Sequence, residues 1–161
     1  MPGRRDAGAP EAADIRPATP EDVPAIVDLL ADDPLGRQRE DASRPIARAY
    51  RDAFAAIEAD PNQILAVAVL DGSVIGTMQV TFLPGLSHRG AWRGQIESVR
   101  VAGPLRGAGL GARMVAWAVE RCRERGCTLV QLATHRSRSD AHRFYERLGF
   151  EASHVGYKLT L

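Results

Sequence analysis

The sequence predicts a single α/β domain built around a mixed β-sheet. Its length of 161 residues suits one domain. Strand and helix patterns follow one another in the order strand, two helices, three strands, helix, strand, helix, strand. No internal repeat or linker-like segment divides the chain. We expect residues 1–12, which lack an apolar cluster, to be a disordered leader and residues 13–161 to form the domain.

The first half of the domain is predicted to place two helices after a short strand. Residues 14–18 have the pattern of a strand. Thr19 then precedes Pro20 and the apolar run VPAIVDLLAD, which is typical of a capped helix start. A polar, acidic connection leads to an alanine-rich segment at 43–59. We predict this segment to be the second helix, because an Asp-Pro pair follows it.

The second half alternates strands with helices. The Asp71-Gly72 pair between two apolar runs predicts a β-hairpin. Residues 83–94, which contain a proline, glycines and a tryptophan, are predicted to be a loop. The remaining predicted elements are a strand at 95–101, a helix at 107–125, a strand at 128–134, a helix at 139–149 and a strand-rich tail that ends at Leu161.

Composition excludes several protein classes. Hydrophobic residues make up 45% and charged residues 25%, which is ordinary for a soluble globular chain. No apolar run approaches the ~20 residues of a membrane span, and the first residues lack the apolar core of a secretory signal. The two cysteines in CRERGC lack metal-ligand spacing, and the four histidines are scattered. We therefore expect a reduced, cytoplasmic protein without a metal and without a membrane partner.

Charge is distributed unevenly, although the net charge is only +1. Acids outnumber bases over residues 1–60, and bases outnumber acids over residues 61–161. This asymmetry indicates either two solvated faces or a site that holds an anion on one side and a cation on the other. The basic part lacks a basic helix stripe and a run of aromatics, so we expect no nucleic-acid partner.

The segment 103-GPLRGAGLGARMV-115 leads into an apolar helix with unusually little side-chain bulk. A helix amino terminus leaves several N–H groups unpaired and carries about half a positive charge, so phosphate binds there readily. Gly107, Gly109 and Gly111 keep the approach clear, and Arg106 adds a full charge. The alternative is a packing turn that needs glycine only for its geometry.

Two other nucleotide-binding interpretations fail on spacing. Gly107, Gly109 and Ala112 fit a loose dinucleotide fingerprint, but that fingerprint expects its first glycine directly after a strand and an acid at the end of the next one. Val101 ends the predicted strand well before Gly107, and residues 129–137 contain no acid. A Gly-Lys-Ser/Thr sequence is absent, which excludes a Walker loop.

Two motifs resemble the GNAT N-acetyltransferases. The stretch RGAGLG at 106–111 is similar to that family's R/Q-x-x-G-x-G/A signature, and AHRFYERLGF at 141–150 is similar to its A-x-x-F-Y-x-x-x-G-F helix. A weaker similarity, in IESVRV and DAHRFYERLGFEASH, is to tabtoxin-resistance-type acetyltransferases. The resemblance implies a mostly antiparallel central sheet flanked by about four helices.

The resemblance also implies an activity. The expected reaction transfers an acetyl group from acetyl-CoA, by direct attack in a ternary complex, to the primary amine of a small molecule such as an amino acid, an amino-acid-like toxin or an antibiotic. A protein or peptide amino terminus is the alternative acceptor. A non-catalytic acyl-CoA sensor is the alternative function, and a homodimer is left open.

The residues that the resemblance assigns to acetyl-CoA come from the end of the predicted strand at 95–101, the glycine-rich segment and the second motif. Arg138 stands where many relatives carry asparagine, and it reaches either a phosphate or solvent. The implied set is Val99, Arg100, Val101, Arg106, Gly107, Ala108, Gly109, Leu110, Gly111, Ala112, Arg138, Ala141 and Phe144.

Glu97 and Tyr145 are the candidate catalytic residues. Glu97 is the only acid in its strand, and alternation is expected to place Gln95, Glu97, Val99 and Val101 on one face. It acts either as a general base, through water held by Gln95, or as a plain surface carboxylate. The Tyr145 phenol suits a proton donor to the departing thiolate, although its helical stripe also suits core packing.

The acceptor is predicted to lie between two charged loops, if their charge is more than solvation. A cationic amine suits the acids of one loop, and a carboxylate suits the other loop. These residues are Asp32, Asp33, Glu40 and Asp41 in the first loop and His88, Arg89, Trp92 and Arg93 in the second. His135 is interpreted as a capping or surface histidine rather than a catalytic one.

Overall fold

The computed structural model describes residues 10–161, and it contains one five-stranded sheet. The strands lie in the order β1-β2-β3-β4-β5, and all neighbours are antiparallel except β4 and β5, which are parallel. The strands are β1 (Asp14–Pro17), β2 (Gln63–Leu70), β3 (Ser73–Pro84), β4 (Trp92–Val101) and β5 (Cys127–Leu132). The prediction of one α/β domain with a mostly antiparallel sheet is confirmed.

Four α-helices longer than one turn flank the sheet. They are α1 (Val23–Ala31), α2 (Arg48–Ala59), α3 (Leu110–Glu124) and α4 (Ser139–Arg147). Short 3-10 turns occur at Pro10–Ala12, Pro20–Asp22, Gly36–Gln38 and Gly103–Leu105. A single turn at Ser87–Gly90 contains two residues with left-handed φ angles, 53° at His88 and 61° at Arg89. Among the described residues, no helix has the length and apolarity needed to cross a membrane.

Each face of the sheet carries its own hydrophobic core. On one face α3 and α4 pack against the large core, whose fully buried members include Met78, Val80 and Ile96. On the other face α1 and α2 form a smaller cluster around Val27 and Phe54. Residues at one end of the strands are polar and only half-buried on this second face. The helices on this face therefore cover only part of the sheet.

A β-bulge in β4 changes which side chains share a face. Thr77 pairs with Arg100 and Gln79 pairs with Glu97, so one residue of β3 lies opposite two residues of β4. Ser98 in the bulge has a φ of 54°. Because an extra residue resets the alternation of a strand, the expectation that Gln95, Glu97, Val99 and Val101 share one face is wrong.

The two faces can be assigned from packing. Val99 and Val101 pack against the large core together with Ile96. Glu97 alternates with Ile96 and therefore points to the face of α1 and α2. Beyond the Ile96–Leu132 pair, β4 continues to Val101 while β5 ends. The two parallel strands therefore part at Glu97 and leave one edge of β4 unpaired.

Several element boundaries differ from the predictions. Helix α2 begins at Arg48 rather than at residue 43. Pro45 disfavours helical geometry at Arg44, and Ala47 precedes the helix with a non-helical ψ of 144°. Helix α3 begins at Leu110 rather than at residue 107, because Gly107 and Gly109 are left-handed. The predicted loop at 83–94 is shorter, since β3 runs to Pro84 and β4 begins at Trp92.

The two termini differ from each other in their attachment. Residues 1–9 of the predicted leader lie outside the described residues, whereas residues 10–12 form a 3-10 turn. The Arg113 guanidinium donates hydrogen bonds to the carbonyl oxygens of Pro10 and Ala13 and holds this turn against α3. Residues 151–161 are all exposed and form no strand. The predicted strand-rich tail is therefore wrong for a single chain.

Candidate functional site

The glycine-rich segment forms an open turn at the amino terminus of α3. Gly107 and Gly109 have φ angles of 80° and 87°, and a Cβ atom at either position would meet nothing within 4 Å. These two glycines are therefore needed for backbone conformation, and space lies open beside them. Gly111 has a different role, because its Cβ atom would lie 3.3 Å from Cζ of Phe144. It permits close packing of α3 against α4.

This turn presents a row of free backbone donors. In the described part of the chain, five N–H groups at the start of α3 have no acceptor, and the first helical bond runs from Arg113 N to Gly109 O over 3.2 Å. The five are those of Gly107, Gly109, Leu110, Gly111 and Ala112. Unpaired donors around an open space fit an anion such as a pyrophosphate. The predicted phosphate-binding segment therefore has suitable geometry.

Arg106 is placed differently from the prediction. Its Nε donates to the carbonyl of Val101 over 3.0 Å, and its terminal nitrogen bonds the carbonyl and carboxylate of Asp32 at 2.8 and 3.1 Å. The guanidinium thus ties the end of β4 to the end of α1. It braces the glycine-rich segment instead of offering an unpaired charge to a phosphate.

Asp33 forms the centre of a buried ionic cluster. Its carboxylate lies 2.9 Å from Nε of Arg100 and 2.8 Å from a terminal nitrogen of Arg138, and its side chain is only 8% exposed. The N–H groups of Leu35 and Gly36 also donate to it. Burial alone would raise the pKa of Asp33, but the hydrogen bonds from Gly36, Arg138 and Leu35 and the charge of Arg100 lower it to about 2.

This cluster changes the interpretation of the charged loop. Asp33 and Asp32 are neutralised by arginines of the same chain, and Glu40 accepts a hydrogen bond from the Tyr50 hydroxyl over 3.0 Å. The expectation that these acids are free for a cationic amine is therefore not supported by their contacts. Arg138 likewise binds Asp33 rather than solvent.

Tyr145 lies on α4 between two other rings. Its ring centroid is 4.9 Å from that of Phe144 and 5.8 Å from that of Phe150, both in edge-on geometry. Burial raises the pKa of Tyr145 above its usual value, although the nearby charges of Arg100 and Arg138 counter part of the rise. The phenol is therefore protonated at neutral pH, and its ring packs against the core.

A row of polar side chains crosses the sheet next to Glu97. Gln63, Thr81, Gln95 and Gln131 lie in register on four adjacent strands. Thr81 Oγ donates to Gln63 Oε1, and Gln131 Nε2 donates to Gln95 Oε1, each over 2.9 Å. Sequence reasoning found only Gln95, because the row becomes visible only once the register of four strands is known. Glu97 lies one step further along β4 and is exposed.

Arg93 lies on the other side of this row. It pairs with Leu83 and Leu129 in the neighbouring strands, and its Nε is buried without a hydrogen-bond partner in the described chain. Alternation places Arg93, Gln95 and Glu97 on one face of β4. The face that α1 and α2 leave open therefore carries a carboxylate at one end and, at the other, a guanidinium whose Nε is unbonded in the described chain.

The remaining predicted site residues lie outside this arrangement. His88 and Arg89 are exposed in the turn at Ser87–Gly90, and Trp92 lies under the guanidinium of Arg125 at 5.4 Å. His135 Nδ1 accepts a hydrogen bond from the Ser137 N–H over 3.2 Å and lies exposed in the turn before α4, whose N-cap is Arg138. Residues 10–161 contain no group of three His, Cys, Asp or Glu side chains that could hold a metal ion.

One protein family agrees with this arrangement, which combines a split between two parallel strands, an open glycine turn and an aromatic helix. The profile of the acetyltransferase (GNAT) family matches residues 23–150, most of the described chain. The chain belongs to this family. It is accordingly an acyltransferase, and the curated relatives to which it is similar are named N-acetyltransferases.

Two curated relatives are similar over different lengths. Aminoalkylphosphonate N-acetyltransferase of Salmonella typhimurium is 34% identical over 158 residues, which is 98% of this chain and 97% of that protein. Glucosamine 6-phosphate N-acetyltransferase of Trypanosoma brucei brucei is 34% identical over 90 residues, 56% of this chain and 59% of that protein. A crystal structure described as a transcriptional regulator from Bacillus halodurans C-125 is 48% identical, covers 92% of this chain and 99% of that chain, and has a TM-score of 0.91.

Proposed function

We propose that this enzyme transfers the acetyl group of acetyl-CoA to the primary amine of a small molecule that also carries an oxyanion. The observation that carries the proposal is the open face of β4, with Glu97 at one end and, at the other, Arg93, whose Nε has no hydrogen-bond partner in the described chain. At about 3.3 Å per residue their Cα atoms lie roughly 13 Å apart, and both side chains can lean inward. The space between them suits an amine and an oxyanion that are separated by a few bonds.

The acetyl-CoA site is proposed to follow the split between β4 and β5. The free N–H groups of the glycine turn would hold the pyrophosphate. The backbone of β4 at Val99, Arg100 and Val101 has no neighbouring strand on one side. It would form hydrogen bonds with the amide-containing arm of acetyl-CoA. Ala108, Ala141 and Phe144 are proposed to line the adjoining surface. Phe144 lies next to Gly111, where an added Cβ atom would be 3.3 Å from its Cζ. The thioester supplies an activated acetyl group at the open end of this path.

Glu97 is proposed as the base that prepares the amine. An alkyl amine with a pKa near that of lysine is only about 0.1% neutral at pH 7, which costs roughly 4 kcal/mol before attack. Glu97 takes this proton directly or through a water bound to Gln95. The amine nitrogen then bonds the acetyl carbon, the carbon–sulfur bond breaks, and Tyr145 gives its phenolic proton to the leaving sulfur. The nitrogen loses its second proton, which returns the Tyr145 phenolate to its phenol form and leaves a neutral amide.

The cysteines do not favour an acyl-enzyme intermediate. Burial raises the pKa of the Cys122 thiol to about 11, and burial also raises the pKa of Cys127. Because only a thiolate is a good nucleophile, both thiols are poorly reactive near neutral pH. Direct transfer within a ternary complex is therefore the mechanism that these residues support.

The names of the relatives support an anionic acceptor. An aminoalkylphosphonate and glucosamine 6-phosphate are both amines that carry a phosphorus oxyanion. A bidentate guanidinium suits phosphonate, phosphate and carboxylate alike. Arg93, which the sequence assigned to a loop, is the residue that we propose for this contact, together with donors from Gln95 and Gln131.

The test is a panel of matched acceptors with acetyl-CoA, read by thiol release. Each aminoalkylphosphonate or ω-amino acid is compared with the neutral alkyl amine of equal length, and a short peptide represents the protein-acceptor alternative. We expect the anionic acceptors to be preferred. Arg93→Gln should reduce that preference at least tenfold, because one charged contact is worth over ~1.4 kcal/mol. Turnover of the neutral amine should stay similar in this variant. Equal rates for both members of every pair would refute the anionic assignment.

A second function is favoured by one relative. The crystal structure at 48% identity is described as a transcriptional regulator, and we propose a non-catalytic acyl-CoA sensor as the second candidate function. The same panel separates the two functions. A sensor would bind acetyl-CoA and release no thiol with any acceptor.

A further inference from the structure

A cavity of about 130 Å³ lies between the sheet and the helices α1 and α2. Its wall is mainly apolar and includes Val27 of α1, Phe54 of α2 and Leu65 of β2. Val27 and Phe54 are buried members of the smaller hydrophobic cluster, and Leu65 is half-buried against it. The cavity is therefore a gap in the packing between these two helices and the sheet.

The cavity begins beside Glu97. Leu65, Gln79 and Glu97 lie side by side on β2, β3 and β4. Leu65 and Gln79 belong to the cavity wall, and so does Ser98, the residue after Glu97. Residues that lie directly opposite each other on neighbouring antiparallel strands share one face of the sheet. The Glu97 side chain is therefore on the same face as the cavity and next to it.

Most polar side chains of the wall already have hydrogen-bond partners. The Thr77 hydroxyl donates to the carbonyl oxygen of Ala66 over 3.0 Å, and the Gln79 amide donates to Oε1 of Gln63 over 2.9 Å. The Tyr50 hydroxyl donates over 3.0 Å to a glutamate between α1 and α2. None of these acceptors belongs to the cavity wall. A buried water needs two to four polar partners, so this cavity favours an apolar occupant.

The volume of the cavity limits the size of that occupant. A dry cavity of ~150 Å³ that is lined by aliphatic and aromatic side chains holds one molecule of benzene. The cavity beside Glu97 is only slightly smaller. It therefore has room for a branched alkyl group of about four carbons or for a single phenyl ring.

The position of the cavity selects the acceptor rather than the acyl group as the source of this occupant. The split between β4 and β5, where acetyl-CoA is proposed to lie, begins on one side of Glu97. The cavity lies on the other side, over β3 and β2. An acyl chain that arrives through the split would have to pass Glu97 to enter the cavity. A group attached to the acceptor beside its amine reaches the cavity directly.

We propose that the cavity holds an apolar substituent on the carbon atom that bears the amino group of the acceptor. The inference rests on the proposed function, because it takes Glu97 as the residue next to the amine. The acceptor then carries an amine at Glu97, an oxyanion toward Arg93 and a hydrocarbon group in the cavity. An α-amino acid or a 1-aminoalkylphosphonate with an apolar side chain has these three groups.

The test measures how acceptor binding depends on this substituent. One series consists of aminomethylphosphonate and its derivatives with a methyl, isobutyl, phenyl or naphthyl group on the carbon. The second series consists of the same amines with hydrogen in place of the phosphonate. Dissociation constants are measured by calorimetry with CoA present, and kcat/KM is measured by thiol release with acetyl-CoA. The trend within each series reports on the cavity, and the difference between the series reports on the oxyanion contact.

Binding should tighten about fourfold with each added carbon up to isobutyl, as expected for the transfer of a methylene group out of water. The naphthyl group exceeds the cavity and should lose this gain. Equal dissociation constants for the unsubstituted and isobutyl acceptors in both series would overturn the proposal. If no acceptor releases thiol, the proposed function fails, and the trend in the dissociation constants still decides whether the cavity holds the substituent.

Ala53→Phe and Ala56→Phe are matched variants on α2. Both alanines are exposed, but only Ala53 lines the cavity. A ring at position 53 should fill the cavity and abolish the gain from the isobutyl group, whereas Ala56→Phe should keep that gain. Ile57→Ala enlarges the cavity and should make the naphthyl acceptor the tightest binder. The same trend in both phenylalanine variants would contradict the proposal, as would a preference for butyryl-CoA over acetyl-CoA that Ala53→Phe removes.

Discussion

Replacing Asp33 with asparagine should destabilise the fold by removing the carboxylate that lies between Arg100 and Arg138. The substitution keeps the size of the side chain but deletes the charge that lies 2.9 Å from Arg100 and 2.8 Å from Arg138. The Arg100 side chain is only 15% exposed, so water cannot replace the lost partner fully. Removing one member of a buried pair typically costs about 3 kcal/mol or somewhat more.

The lowered pKa of Asp33 gives a second, independent magnitude for its contribution to the free energy of unfolding. A carboxyl pKa that falls from 3.8 in the unfolded chain to about 2 in the folded chain corresponds to roughly 2 kcal/mol. Because the folded-state pKa is depressed, this stabilisation is fully present above pH 4 and is lost as the pH falls from about 4 to about 2. The stability gap between the wild type and Asp33→Asn should therefore narrow over this same range.

Urea unfolding at several pH values measures both effects. The matched control is Asp28→Asn, which breaks a 2.7 Å ion pair with Arg44 in which both side chains are about half exposed. An exposed pair contributes at most about 1 kcal/mol, so the control should change stability little. A loss for Asp33→Asn no larger than that of the control, or a gap that does not change between pH 4 and pH 2, would refute this account of the cluster.

Three further variants test the proposed site. Gly109→Glu should abolish the rise in melting temperature that acetyl-CoA produces. Gly72→Glu, at a hairpin turn with a similar φ of 76°, should keep that rise. Equal rises in melting temperature in both variants would contradict the anion site. Tyr145→Phe should lower kcat by ~10²-fold at pH 7 with little change in acetyl-CoA affinity, and the defect should shrink as pH rises; near-normal turnover would leave Tyr145 a packing residue. Glu97→Gln should flatten the acidic limb of the pH–rate profile, and an unchanged limb would exclude Glu97 as the base.

The sequence predicted those features that depend on local patterns. The hairpin at Asp71-Gly72, the order of strands and helices and the open turn at Gly107 and Gly109 all follow from residues that are close in the chain. Each of these residue types has a strong preference for a particular backbone conformation or period. The assignment to the family rests on two such local motifs and is confirmed.

Features that depend on distant residues were not predictable in the same way. The bulge at Ser98 reverses the alternation of β4, and no residue type in that segment demands it. Asp33 and Arg138 are far apart in sequence, so their pairing appears only when the fold brings the end of α1 to the start of α4. The tail had the correct period for a strand, but a strand also needs a neighbour, and a single chain gives it none.

The most direct measurement of the central claim is a mass-spectrometric experiment on both protein and product. The enzyme is first incubated with acetyl-CoA alone, and an aminoalkylphosphonate is then added. The account predicts an unmodified protein in the first step, because neither thiol is activated, and an N-acetylated acceptor with one equivalent of free CoA in the second. An acetyl group on the protein before the amine is added, or free CoA without an acetylated acceptor, would contradict direct transfer at this site.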